Sequence, residues 1–123
     1  AVESIVGPLE RFVAVEVPPE AALHQIRPTI EAAIQSVEAG HGVLVLTDLF
    51  GGTSTNVSLS FLEEGRVDVL SGVNLPMLMK ISTSRTGRTL AELGTQLKEY
   101  GKRHIQLASE VLAQRKHAVG DAR

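Results

Sequence analysis

The feature that most constrains the fold of this chain is an apolar run that ends at a carboxylate and a glycine pair. Val43 to Leu46 are four β-favouring residues without polar alternation, and Asp48 and Gly51-Gly52 follow them. A strand of this kind is typical of a parallel sheet whose two faces are both covered by helices. Asp48 then stands where the strand ends, and the glycine pair permits a sharp turn with close approach of the backbone.

Strand and helix patterns alternate through the rest of the 123 residues. Further strands are predicted over 12–17, 67–70 and 103–107, and helices over 20–39, 53–64, 77–80 and 90–100. Residues 109–118 are predicted as a terminal helix or a tail. Residues 82–88 are predicted as a loop, and Gly101 is expected to end the helix before it. A chain of this length forms one domain, 1–123. The alternation predicts the α/β class, doubly wound around a mainly parallel sheet that is flanked by helices.

The composition argues against several functions. The chain has 12 basic and 14 acidic side chains and no basic block interleaved with aromatic residues, so nucleic acid is not an expected partner. The sequence contains no cysteine, which excludes disulfides, thiolate catalysis and cysteine-ligated zinc. No apolar run reaches the length of a membrane span, and a cytoplasmic location is expected.

The histidines do not form a recognisable site. They lack the close spacings of metal ligands, so neither a metal nor a cofactor is predicted. The four positions are His24, His41, His104 and His117. Each is expected at the surface or at a helix end. His41 is near the apolar strand but at its start, which is the wrong end for chemistry at Asp48.

The residues leave several roles open for Asp48. One role is structural, in which the carboxylate caps its own turn by accepting hydrogen bonds from backbone N–H groups. The chemical roles are to orient a histidine, to accept a phosphoryl group as a nucleophile, or to bind magnesium. Phosphorylation of Asp48 itself would require magnesium, and no second acidic residue stands beside it to help bind the ion.

The turn after Asp48 offers donors for an anion. Gly51 to Ser54 supply backbone N–H and hydroxyl groups at a predicted helix start, an arrangement suited to a phosphoryl group. A nucleotide-binding P-loop is not predicted, because no lysine lies between Gly40 and Met79. The Gly-x-Ser-x-Gly motif of a nucleophile elbow is absent as well.

A second strand, turn and helix start repeats this arrangement. After Val67 to Leu70 come Gly72 and Asn74; Asn74 is a predicted N-cap, and Pro76 falls in the first helical turn. Ligands of parallel α/β sheets bind beyond the carboxyl ends of the strands. Asp48 to Thr53 and Gly72 to Asn74 are therefore predicted to lie at one edge of the sheet.

Two blocks of the sequence strongly resemble the IIA component of the mannose-family phosphoenolpyruvate-dependent sugar phosphotransferase system. The first is GVLVLTDLFGGT, residues 42–53, with Asn56, and the second is GVNLPML, residues 72–78. Their order and separation fit that family. The likeness extends from Ile5-Val6-Gly7 to Ala108-Ser109-Glu110-Val111-Leu112, which is essentially the whole chain.

The resemblance implies a phosphotransferase that carries phosphate on a histidine, in a small doubly wound domain. It also implies a homodimer formed through the C-terminal strand, antiparallel or exchanged between copies. Phosphate arrives from the histidine-containing phosphocarrier protein and passes to a IIB component, then to a sugar that enters through membrane permease subunits. In this chain Asp48 would orient the histidine. The implied pocket for the phosphate and the partners consists of Phe50, Gly51, Gly52, Thr53 and Asn74.

Two departures from the family pattern bear on this site. Ser54 stands where the family usually has proline, which changes the rigidity of the turn more than its chemistry. Ala1 to Gly7 resemble the latter part of the family's first helix, so the first strand and the phosphorylated histidine, roughly 15–20 residues, are expected ahead of Ala1 in the natural protein. Without them the chain is expected to be inactive. The alternative function is a regulatory or signalling relative that binds partners without completing phosphotransfer.

Overall fold

The computed structural model describes residues 10–16, 23–48 and 53–121. In chain order these ranges contain α1 (Leu23–Val37), β1 (Val43–Thr47), α2 (Thr53–Leu59), β2 (Val67–Ser71), α3 (Leu75–Ser84), α4 (Leu90–Arg103) and α5 (Ala108–Asp121). Both ends of the predicted strand 67–70 are thus close to the observed ones, and the predicted terminal helix is present as α5.

The sheet of the described residues is a parallel pair. β1 and β2 run in register from Val43 opposite Val67 to Thr47 opposite Ser71. α2 forms the connection between them, as a parallel pairing requires. The parallel arrangement predicted from the unbroken apolar run of β1 is confirmed.

Four of the five described helices pack in two pairs. α1 contacts α2 through a core of Ile26, Ile30 and Val57, with Ile34 and Phe61 packed against it. α3 contacts α4, and α4 also packs on both strands. Within the described ranges the two helix pairs do not contact each other. The sheet contacts at least one helix of each pair. The predicted α/β class with helices flanking a parallel sheet is confirmed.

Gly101 is a contact between helices and not a helix end. The prediction that this glycine ends the helix is wrong, because α4 continues to Arg103 and Gly101 is buried inside it. A Cβ atom at this position would lie 2.3 Å from Sδ of Met77 in α3. The absence of a side chain at Gly101 therefore allows α3 and α4 to approach closely.

Two predicted strands are wrong in the described part of the chain. Residues 12–16 are irregular, with Val13 48% and Val15 37% exposed, because no described strand lies beside them to complete a ladder. Residues 103–107 contain the end of α4, a turn and an irregular segment, so the strand predicted there is absent from the single chain. Exchange of this segment with a second copy stays a prediction. The loop predicted over 82–88 is shorter than expected, since α3 continues to Ser84.

Candidate functional site

The carboxyl ends of the two strands meet at one edge of the sheet. β1 ends at Thr47 directly opposite Ser71, the last residue of β2. The backbone N–H of Val73 donates a hydrogen bond of 3.0 Å to the carbonyl of Thr47, so the segment after β2 crosses the end of β1. The predicted meeting of the two strand ends is confirmed.

Asp48 follows β1 at this edge and is exposed. Its carboxylate forms no hydrogen bond or ion pair with any other described residue. A carboxylate that caps its own turn would accept backbone N–H groups, and within residues 10–16, 23–48 and 53–121 no such bond is present. The carboxylate is therefore available to a ligand or to an added side chain that donates a hydrogen bond.

Only part of the predicted pocket falls within the described residues. Phe50, Gly51 and Gly52 lie outside them, so their contribution stays a prediction. Thr53 is described: it is the exposed first residue of α2. A helix start directly after the glycine pair was predicted and is confirmed, and the role of Thr53 beside a phosphoryl group stays a prediction.

Asn74 is fully engaged in the fold. It is the N-cap of α3, and its Oδ1 accepts a hydrogen bond of 3.2 Å from the backbone N–H of Met77. Its Nδ2 donates to the carbonyl of Gly101 at 3.1 Å, which ties the start of α3 to α4. The predicted N-cap is confirmed. The structure thus gives Asn74 a structural role, and contact with phosphate or partners stays a prediction.

A pair of hydroxyls at the strand ends was not predicted from the sequence. Oγ1 of Thr47 and Oγ of Ser71 are buried, and neither has a hydrogen-bond partner among the described residues. Register partners in a parallel pair point to the same face of the sheet, so the two hydroxyls are neighbours. The signal in the sequence is weak: each is a small polar residue that ends an otherwise apolar strand, a pattern that is also common at strand ends without function.

None of the described histidines forms a hydrogen bond or ion pair with Asp48. His41 is exposed and precedes β1, at the opposite edge of the sheet. His24 is exposed in α1, and the side chain of His117 lies outside the described residues. His104 follows α4, where its Nδ1 is 2.8 Å from the carbonyl of Tyr100. Because a carbonyl can only accept, this bond requires the hydrogen on Nδ1.

Fold and strand-end geometry define an α/β domain with an open carboxylate at the carboxyl edge of its parallel sheet, and sequence comparisons identify its family. The profile of EIIA-man, the PTS (phosphotransferase system) fructose IIA component, matches residues 1–98. The chain is 38% identical over 92 residues to the PTS fructose-specific EIIA component of Bacillus subtilis, covering 74% of this chain and 63% of that protein. It is 31% identical over 98 residues to the sorbose-specific EIIA component of Lacticaseibacillus casei, covering 79% and 70%.

Solved structures agree with the sequence comparison. The phosphotransferase system component EIIA of Streptococcus agalactiae superposes with a TM-score of 0.78 at 29% identity, over 89% of this chain and 85% of that one. The mannose/sorbose specific IIA subunit of Enterococcus faecalis gives a TM-score of 0.75 at 26% identity, over 86% and 80%. The chain belongs to the EIIA-man family, the mannose-type IIA components of sugar phosphotransferase systems.

The chain spans 63% of the length of the Bacillus subtilis relative. Within the described ranges, none of the helices combines the length and the apolar character that crossing a membrane requires.

Proposed function

We propose that the protein is a phosphocarrier, which receives a phosphoryl group on a histidine from the histidine-containing phosphocarrier protein and passes it to a IIB component. The observation that carries this proposal is the exposed Asp48 carboxylate, which has no partner among the described residues and lies at the carboxyl edge of the sheet. The family resemblance implies that a histidine is oriented at this place.

The chemistry proposed for Asp48 is control of a histidine tautomer. A carboxylate that accepts a hydrogen bond from one ring nitrogen holds the hydrogen there, so the lone pair of the other nitrogen is free to attack phosphorus. In the transfer, the bond from phosphorus to the donor nitrogen breaks as the bond to the acceptor nitrogen forms. The same carboxylate stabilises the positive charge that the attacking imidazole acquires.

The turn between β1 and α2 would bind the phosphoryl group. Backbone N–H groups of Gly51 and Gly52 and the hydroxyl of Thr53 are donors of the kind that stabilise phosphoryl oxygens when charge develops on them. The acceptor is the histidine that the family resemblance implies at the end of the first strand. Asp48 and this turn therefore surround the reacting imidazole ring and do not themselves accept the phosphate.

The test is phosphorylation of the full-length protein. Incubation with labelled phosphoenolpyruvate, the first enzyme of the system and the phosphocarrier protein should give a label that is released by acid and is stable to base, as phosphohistidine is. A label released by base would identify an acyl phosphate on a carboxylate and contradict the proposal. If no label forms although the phosphocarrier protein still binds, the regulatory function replaces it.

A further inference from the structure

Two cationic side chains and a histidine ring surround one aromatic ring at the end of α4. We call Lys80, Tyr100, Arg103 and His104 the Tyr100 surface. Nζ of Lys80 lies 5.2 Å and Cζ of Arg103 5.9 Å from the centre of the Tyr100 ring. The ring of His104 packs against the same tyrosine, with ring centres 4.0 Å apart. Contacts of this kind between cations and an aromatic ring hold the positive charges in place near the surface.

The positive charge of this surface is not neutralised by the described residues. Neither Lys80 nor Arg103 forms an ion pair with them. The nearest acidic residue along α4, Glu99, is paired with Lys102 at 3.7 Å. Arg103 and His104 are exposed, and Lys80 and Tyr100 are half-buried. Two fixed cations are thus available to an anionic partner.

The Tyr100 surface borders the edge of the sheet that carries Asp48. Tyr100 directly precedes Gly101, whose carbonyl accepts the hydrogen bond from Asn74, and Asn74 follows the end of β2. Ile105, 75% exposed, and Leu107, 61% exposed, follow the cations in the chain, in the segment through which the resemblance implies a homodimer. The Tyr100 surface is therefore defined by its charged side chains and not by these apolar ones.

We propose that the Tyr100 surface binds the phosphorylated form of the protein that donates phosphate to the site at Asp48. This inference rests on the proposed function and adds a docking surface to it. A donor arrives carrying a doubly negative phosphoryl group beside its reacting histidine, whereas an acceptor arrives without one. Cations at the rim therefore accelerate the approach of the donor, because opposite charges steer encounter.

The test compares charge reversals in the full-length protein. In Lys80→Glu/Arg103→Glu, KM for the phosphorylated donor should rise about tenfold at low salt, within the range of electrostatic steering, while kcat at saturating donor stays within about twofold. The rise of KM with ionic strength should also be smaller in this variant than in the wild type. Lys80→Arg/Arg103→Lys keeps the charges and should restore the wild-type KM.

The matched control is Arg66→Glu. Arg66 is an exposed cation at the opposite edge of the sheet, where its carbonyl bonds the first residue of β1. Its reversal should leave KM for the donor within about twofold. Sedimentation of each variant reports whether the reversal changes the oligomeric state instead.

Three results would overturn the inference: an unchanged KM in the double reversal, an equal rise in Arg66→Glu, or a change in oligomeric state without a change in KM. The last would assign the surface to a second copy of the chain. A binding measurement distinguishes failure of this inference from failure of the proposed function. The Kd of the phosphorylated donor, measured by titration in an Asp48→Asn background, should rise about tenfold on the double reversal even if no phosphoryl group is transferred.

Discussion

Asp48 and Asn74 both follow the end of a strand at the same edge of the sheet, and the structure uses them in opposite ways. The amide of Asn74 is engaged at both ends, with Met77 and with Gly101. The carboxylate of Asp48 is exposed and has no partner among the described residues.

The difference follows from the chemistry of the two side chains. An amide offers an acceptor and donors, so Asn74 can cap α3 and bond the carbonyl of Gly101 at once. An ionised carboxylate only accepts, and the residues described around Asp48 present it with no donor. A polar residue at a strand end is therefore not functional by position alone. It becomes a candidate when its hydrogen-bonding capacity is left unused by the fold.

The largest effect that separates the two residues is expected in phosphoryl transfer. Asp48→Asn removes the charge that would orient and stabilise the histidine, so the rate of transfer should fall at least about 100-fold. The free energy of unfolding should change by no more than about 0.5 kcal/mol, since the side chain is exposed and unpaired. Rapid-quench assays of labelled full-length protein and urea titrations measure the two quantities.

The control for this prediction is Glu64→Gln, which neutralises an exposed carboxylate beside the amino edge of the sheet. It should change neither the transfer rate nor stability. A transfer rate in Asp48→Asn within threefold of the wild type would refute the role assigned to Asp48.

The next largest effect is expected at the contact between α3 and α4, where Gly101 meets Met77. Gly101→Ala places a methyl group 2.3 Å from Sδ and 2.6 Å from Cγ of the buried Met77. The overpacking should lower the free energy of unfolding by about 1–3 kcal/mol, as extra groups in a packed core do. Urea denaturation of the full-length protein measures this loss.

Gly94 provides a matched control in the same helix. A Cβ atom there would lie 3.9 Å from Oδ2 of Asp68 and 4.0 Å from Cδ1 of Leu44, which are ordinary contacts. Gly94→Ala should therefore raise stability by up to about 1 kcal/mol through helix propensity. Equal stability changes in the two variants would mean that the approach of α3 to α4 does not depend on Gly101.

The sequence predicted the features of this edge that depend on local pattern. The apolar run of β1, the strand at 67–70 and the Asn74 cap all follow from residues close together in the chain. The family resemblance added the significance of Asp48, which its local pattern left open between a structural and a chemical role. Periodicity could not supply that distinction, because it depends on which groups surround the carboxylate in three dimensions.

The features that the sequence did not predict depend on contacts between distant residues. Glycine is typical of a helix end, but Gly101 lies inside α4. Met77, 24 positions earlier, occupies the space that a side chain at position 101 would need. The segment 12–16 has β-favouring residues but forms no strand, since pairing requires a neighbour and none is described beside it. The Tyr100 surface joins α3 and α4, and no local motif marks it.

A smaller effect is expected from loss of the bonds of Asn74. Asn74→Ala removes the cap and the link to Gly101, and should lower the free energy of unfolding by about 1–2 kcal/mol. Asn74→Ser keeps an oxygen for the Met77 N–H, but the serine side chain is too short to reach Gly101. Its free energy of unfolding should therefore fall by less than about 1 kcal/mol. Thermal and urea unfolding of both variants measure the difference.

These two variants also test the rim role that the resemblance implies for Asn74. If Asn74 is structural, phosphoryl transfer in Asn74→Ser should keep at least about half of its rate under conditions where the protein is folded. A tenfold loss of rate without a loss of stability would instead place Asn74 in contact with the phosphate or a partner.

The smallest effect is expected from the capping box of α4, and it should depend on pH. The backbone N–H of Thr89 donates to the carboxylate of Glu92 at 3.1 Å, and with the Thr89 hydroxyl this lowers the pKa of Glu92 below its ordinary value of 4.5. A carboxyl whose pKa is lower in the folded state stabilises the fold above the unfolded pKa, and the stabilisation is lost as pH falls through the folded one. Glu92→Gln should therefore lower the melting temperature at pH 7, and the difference from the wild type should close as the pH falls below 4.5. The control is Glu31→Gln, at an exposed carboxylate of α1 without a hydrogen bond to the described residues; its difference in melting temperature from the wild type should not depend on pH in this way. If the difference between Glu92→Gln and the wild type is constant from pH 7 to pH 3, the charge of Glu92 does not contribute to stability.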